Sequence, residues 1–263
     1  MQKAFDTRLH FSRVSHKYRE VRVTDIEPVD YIASKLQDSP PEVAILDVGC
    51  GTGRYTERLV EKLHSRIKLL CVDLSRDMLL RCRQALERNA KVMEKAFLLA
   101  TSSLLPCKDK AVDLVMAFNA IHHFDLAEFL SEAVRAIKEN GLLAIYTRTP
   151  EQNRRTIWGR YFPEFANKEN RLHSLDKLEK IIASLPQLHL EEIRFFSFRR
   201  HISIQRLREL ALAHHYSTFS LYSRDELHQA LDIFEKRIKR EHGNTPTISH
   251  ISSNVLILSR RVG

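Results

Sequence analysis

The sequence predicts an α/β fold: a seven-stranded, mostly parallel sheet with helices on both faces and an inserted helical cap. Three observations predict it. The apolar run Val43-Ala44-Ile45-Leu46 leads into Asp47-Val48-Gly49-Cys50-Gly51-Thr52-Gly53, and Arg54 to Leu63 then has helical spacing, which is the order strand, glycine turn, helix. A second apolar run, Ile67-Lys68-Leu69-Leu70-Cys71-Val72, closes on one acid, Asp73. Extended and helical patterns then alternate through the first half with short links, as in a parallel sheet covered on both faces.

Taken in order, the chain opens on a helical pattern in which Phe11, Val14 and Tyr18 share one face. Strands are expected near 43–48, 67–73, 92–99, 112–118 and 140–147, with helices near 54–64, 76–89 and 126–139. Right-handed crossovers bring the carboxyl ends of parallel strands to one rim, where ligands gather. Asp47, Asp73, the turn after Leu99 and the segment from Phe118 to His123 fall on that rim. After Pro150 the character changes: residues 151–185 are polar, aromatic and helical, with Trp158, Tyr161, Phe162 and Phe165 close together, suited to lining a pocket or to plain packing in a lid. An extended run at 193–198, helical stretches near 201–213 and 223–241, and a last strand at 255–258 complete the chain. One domain over 1–263 is expected, with a cap contributed by 1–36, 151–185 and 201–246. No internal repeat or low-complexity tract is present.

Composition narrows the function classes. Apolar residues make up 43% and charged residues 29% of 263, the balance of a folded soluble chain. No 18-residue apolar run exists to span a membrane, and the first residues lead into no secretory segment, so a cytoplasmic location is expected. The cysteines at 50, 71, 82 and 107 lack C-x-x-C spacing and read as free, mostly buried thiols. Asp, Glu and His show no metal-ligand grouping. The net charge is +9, densest at Arg194, Arg199, Arg200, Arg206 and Arg208 and again at Lys236, Arg237, Lys239 and Arg240. Such charge steers anionic substrates or nucleic acid, or covers a solvated surface.

The glycine turn and Asp73 together point to a nucleoside cofactor. Gly49, Gly51 and Gly53 let the backbone turn tightly and approach a ligand closely, while an acid at the end of the second strand is placed to accept ribose hydroxyls. Ser75 is the better helix-cap candidate beside it.

These residues, with Val72-Asp73-Leu74-Ser75 and Met78, Leu105-Pro106 before Val112-Asp113-Leu114-Val115, Ile121-His122-His123 and Gly141-Leu142-Leu143, resemble a class I S-adenosylmethionine-dependent methyltransferase of the small-molecule group that includes quinone and secondary-metabolite enzymes. The match runs well over about residues 5–150, where Phe11-Ser12-Arg13-Val14 with Tyr18 and Arg22 is similar to that group's cofactor-covering helix. The resemblance implies a Rossmann-like sheet and S-adenosyl-L-methionine as cofactor. It implies that the turn passes beside the methionine portion with Asp47 as a polar anchor, that Asp73 holds the ribose, and that Leu74 and Met78 flank adenine. Thr101 departs from the pattern, standing where an acid usually accepts from the adenine amine; Thr101 or Ser102 then substitutes. Asn119 would lie along the methionine chain, and His123 first, His122 second, would face the acceptor as a proton acceptor. Tyr18, Tyr146 and Arg148 are further candidates for shaping the pocket or holding an acceptor carboxylate.

The expected partner is a small-molecule, slightly more acidic than cationic, acceptor, ordered by helices that close over it. An RNA acceptor is the alternative, and a non-catalytic methyltransferase-like interaction protein is a third reading. A dehydrogenase fits less well, because its fingerprint is G-x-G-x-x-G and this turn is Gly49-x-Gly51-x-Gly53. Phe118-Asn119-Ala120-Ile121 also lacks the two prolines that grip a base amine. Pro106-Cys107 precedes the fourth strand, the wrong side for the usual C5-directed cysteine nucleophile.

Overall fold

A computed structural model describes residues 22–36, 41–243 and 245–263. Tyr18, like Phe11 and Val14, lies outside the described residues. The strands are β1 (Glu42–Val48), β2 (Arg66–Asp73), β3 (Val92–Leu99), β4 (Val112–Phe118), β5 (Ile137–Thr147), β6 (Leu188–Ile202) and β7 (Ile248–Arg261). They form a seven-stranded sheet in the order β3-β2-β1-β4-β5-β7-β6. β1 pairs in parallel with β2 and β4, β2 with β3, and β4 with β5, whereas β7 runs antiparallel to β5.

The helices are α1 (Glu27–Lys35), α2 (Arg54–Lys62), α3 (Arg76–Leu86), α4 (Leu126–Ala136), α5 (Pro150–Arg155), α6 (Ile157–Tyr161), α7 (Phe165–Lys168), α8 (Leu175–Ala183), α9 (Ile204–Leu212) and α10 (Arg224–His242). Local chemistry sets several ends. Ser75 accepts from the Met78 amide at the start of α3, and Asp125 accepts from the Ala127 and Glu128 amides at the start of α4, each filling an orphan donor of the first turn. Ser223 and Glu226 form a reciprocal capping box at the start of α10.

The apolar runs of the central strands divide by alternation. Val43, Ile45, Leu69, Cys71, Leu142 and Ala144 face α1, α2 and α3 in one buried cluster. Leu46, Val48, Val72, Leu143 and Ile145 face the other way, onto Phe129 and Leu130 of α4 and Leu178 and Ile182 of α8. Burial on both faces is why these strands read as continuous apolar runs.

The chain divides into two compact units. One comprises residues 23–147, 175–196 and 255–263 and contains both sheet clusters. The other comprises 148–174 and 197–254, with Arg22 its first described residue. Its core is aromatic. Trp158 stacks on Phe234 with centroids 5.0 Å apart and planes at 14°, and Phe162, Phe165 and Phe219 close around them. Trp158, Tyr161, Phe162 and Phe165 are all buried, so the group that allowed two roles in the sequence packs its own unit.

Three boundaries differ from the sequence reading. The helix expected to reach 139 stops at Ala136, and β5 begins at once with Ile137, whose side chain is fully buried in the second sheet cluster. β6 and β7 are 15 and 14 residues long, far beyond their apolar cores, because their outer positions alternate exposed polar with half-buried residues. Helices α1 and α8 fall within the spans read as cap, yet their apolar faces are buried against the sheet.

Candidate active site

The site is built at the carboxyl ends of β1, β2 and β4. Gly49, Gly51 and Gly53 have φ of +70°, +55° and +73°, the left-handed region that penalises any side chain. Two of them are also crowded: a Cβ on Gly49 would stand 2.6 Å from Ala120 Cβ, and one on Gly53 2.7 Å from Cys82 Sγ. At Gly51 no atom of the described residues lies within 4 Å of that position, so among them this residue presents bare backbone. The turn hangs from β2: Gly49 and Cys50 amides donate to the Val72 carbonyl at 2.8 and 3.1 Å.

Asp73 fastens the same turn. Its Oδ2 accepts from the Gly51 amide at 2.9 Å and its Oδ1 from the Ser75 amide at 2.8 Å. Burial pushes its carboxyl above the ordinary aspartate range, against these two amides. Leu74 beside it is exposed, whereas Met78 is 1% exposed and belongs to the buried interior.

Asp47 is 2% exposed. Thr56, from the first turn of α2, donates to its Oδ2, while its Oδ1 is buried and meets no hydrogen-bond partner among the described residues. Desolvation raises its pKa to about 8, so the carboxyl is mostly protonated at neutral pH. A buried carboxyl oxygen with unused lone pairs beside bare backbone fits a ligand that brings a cation or a donor to it.

Beyond β4, Asn119 has φ +53°; its amide donates to the Tyr146 carbonyl at 2.6 Å and its Nδ2 to the Tyr55 hydroxyl at 3.4 Å. Tyr55 stacks on Phe118 at 4.3 Å. His122 and His123 form a short 3-10 turn with Ile121, both half-buried, their rings 4.1 Å apart. At the end of β3, Thr101 is exposed and Ser102 buried. Tyr146 is fully buried and donates to Asp25 Oδ2 at 2.7 Å, which assigns its hydroxyl to the fold. Tyr55, Thr56 and Asp25 escaped the sequence reading. The first two stand in the turn after Gly53 and were within reach of a closer reading; Asp25 is joined to its partner only by the fold.

In the aromatic unit, Arg148 donates to Tyr216 Oη at 3.2 Å, Ser252 Oγ at 3.1 Å and Asn254 Oδ1 at 3.1 Å. The guanidiniums of Arg22 and Arg148 lie 4.4 and 5.5 Å from the Tyr216 ring centroid. His215 is buried, accepts or donates at the Leu210 carbonyl through Nδ1, and is held well below the usual histidine range by burial and then by Arg22, Arg148 and Arg206.

Residues 46–145 match a family described as a methyltransferase domain. Over 125 residues the chain is 31% identical to an uncharacterized methyltransferase of Mycobacterium tuberculosis, covering 48% of this chain and 47% of that one. It is 35% identical over 101 residues to malonyl-(acyl-carrier protein) O-methyltransferase of Geobacter sulfurreducens (38% and 36%). It is 28% identical over 127 residues to ribosomal RNA-processing protein 8 of Rattus norvegicus (48% and 23%). The chain thus spans half or less of the length of these relatives. Among solved structures, loganic acid methyltransferase with bound S-adenosylhomocysteine superposes with a TM-score of 0.64 at 12% identity, over 97% of this chain and 94% of that one. The matched segment, the sheet order and the turn geometry agree: residues 46–145 are similar to a methyltransferase domain, and S-adenosylmethionine is the cofactor that this likeness implies.

Proposed function

We propose that this protein transfers a methyl group from S-adenosylmethionine to a small, acidic acceptor. The observation that carries the reading is the pairing of a half-buried and a buried carboxyl at one glycine turn: Asp73 ties down the Gly51 amide, and Asp47 keeps a buried Oδ1 that meets no hydrogen-bond partner among the described residues. The cofactor brings a sulfonium methyl already activated for displacement. The residues of this chain hold and orient. Asp47 takes the ammonium of the amino-acid portion, Asp73 the ribose hydroxyls, and Leu74, backed by Met78, one face of adenine. Thr101 or Ser102 meets the adenine edge, and Asn119 lies along the methionine chain. Positioning of the acceptor in line with the departing bond then supplies much of the rate. His123, with His122 as the second candidate, accepts the acceptor's proton where a weakly acidic hydroxyl or carbon is methylated.

The acidic character of the acceptor is supported by the chain's net charge of +9, which steers anionic ligands. The name of the loganic acid enzyme agrees with it. An RNA acceptor is the second reading, favoured by the net charge and by the name of the rat relative. Against it, Arg194, Arg206 and Arg208 of the basic stretch pair with Glu192, Glu209 and Glu235, which lowers the field available to phosphates.

The test begins with calorimetric titration by S-adenosylmethionine and NAD in parallel, followed by a screen of carboxylic acids, phosphorylated small molecules and RNA with a labelled methyl donor. Selective cofactor binding and label in a small acid are expected. Binding of neither cofactor favours the non-catalytic reading, and label in RNA with steep salt dependence favours the second.

A further inference from the structure

Behind the glycine turn three thiols from three separate elements converge. Cys50 belongs to the turn, Cys71 to β2 and Cys82 to α3, and their Sγ atoms all lie within 4.8 Å of one another. Cys71 and Cys82 are fully buried and Cys50 is 9% exposed. Their wide sequence spacing makes no motif, so only the fold assembles them.

We propose that Cys50, Cys71 and Cys82 form a binding site for one thiophilic divalent cation of the zinc and cadmium group. Three sulfurs bound at about 2.3 Å to a common ion stand about 4 Å apart, so the cluster closes onto an ion with sub-ångström shifts. Soft thiolates select such cations over magnesium or calcium. Burial, then hydrogen bonds with Cys71 and Cys82, pushes the Cys50 thiol up; the Cys71 thiol is also pushed up, its hydrogen bond with Cys50 working the other way and outweighed by that with Cys82 and by burial. Loading exchanges S–H bonds for metal–sulfur bonds and releases up to three protons, leaving one net negative charge. That charge lies beside the start of α2, whose N-cap Gly53 abuts Cys82, the end of a helix that favours an anion.

The site is coupled to the turn. Cys50 accepts from the Gly53 amide at 3.0 Å and donates its own amide to Val72, while Gly51 next to it is held by Asp73. Drawing the Cys50 sulfur inward shifts this backbone, so the loaded protein binds S-adenosylhomocysteine more weakly. This consequence rests on the proposed reading of the turn as the cofactor site; metal uptake itself does not.

The experiment titrates the reduced full chain with Cd2+, following thiolate-to-cadmium charge-transfer absorption in the ultraviolet, and counts sulfur neighbours by X-ray absorption on the loaded wild type. One equivalent bound with three sulfur neighbours is expected, retained in Cys107→Ser and lost in Cys71→Ala and Cys82→Ala, whose folding is checked by circular dichroism. No charge-transfer band, two or fewer sulfur neighbours, or loss of uptake in Cys107→Ser overturns the site. The wild-type sulfur count decides even where a variant does not fold. S-adenosylhomocysteine affinity is then measured on metal-free and loaded protein, with a tenfold or greater loss on loading expected and equal affinities refuting the coupling. Metal uptake without any cofactor binding by the metal-free protein would sink the cofactor reading and leave the metal site standing.

Discussion

Binding of S-adenosylhomocysteine to the metal-free protein is expected to release a proton from Asp47. With its pKa raised to about 8 by burial, the free protein holds this carboxyl about 90% protonated at pH 7, about half protonated at pH 8 and about 10% protonated at pH 9. An ammonium placed against the buried Oδ1 favours the ionised form. Proton release on binding then approaches ~0.9 per site at pH 7 and falls to ~0.1 at pH 9. Calorimetry in buffers of different ionisation enthalpy measures this directly. Asp47→Asn keeps an oxygen for Thr56, removes the titration, and weakens binding by about 1.5–3 kcal/mol through loss of the charge-assisted contact. The same raised pKa fixes a sign for stability. The folded state binds this proton more tightly than the unfolded chain, so its stabilisation is complete below about pH 4, declines by about 1.4 kcal/mol per pH unit above that, and is gone once pH exceeds 8. Asp47→Asn is expected to flatten that slope. Proton release that is zero at pH 7 and unchanged at pH 9 would refute both the raised pKa and the placement of the ammonium.

Other substitutions separate the parts. Asp73→Ala is expected to weaken S-adenosylhomocysteine binding by about 1–3 kcal/mol, since it removes a charged acceptor and frees the Gly51 amide; unchanged affinity by calorimetry would take Asp73 out of the site. Gly49→Ala adds a Cβ at φ +70° and 2.6 Å from Ala120, at a cost of about 1–2 kcal/mol for the backbone conformation alone, and an unshifted thermal midpoint would contradict this geometry. His123→Ala is expected to leave cofactor affinity intact and lower turnover by roughly 10²–10⁴-fold; full turnover across pH would assign the ring to packing. Phe234→Ala removes the ring stacked on Trp158 and is expected to cost about 3–5 kcal/mol. Trp158 is the chain's single tryptophan, so denaturation followed by its fluorescence reports that unit, and an unmoved midpoint would count against the packing.

Where residues act through their neighbours in sequence, the chain by itself determined the outcome. The strand, glycine turn and helix at 42–62, the acid closing β2, the Ser75 cap and the limits of β3 and β4 all follow from short-range rules: glycine for left-handed backbone, apolar runs for strands buried on both faces, a hydroxyl for an orphan amide. Tertiary structure decided what depends on long-range pairing. The antiparallel entry of β7, the docking of α8 on the sheet, and the burial of Trp158 among Phe162, Phe219 and Phe234 each join segments distant in sequence. The same holds for the chemistry. That Asp47 is an aspartate was plain from the sequence, but its raised pKa arises from desolvation by the packed interior. Likewise, the meeting of Cys50, Cys71 and Cys82 follows from the parallel register of β1 and β2 and the packing of α3 against them, because proximity between residues far apart along the chain is a property of the fold.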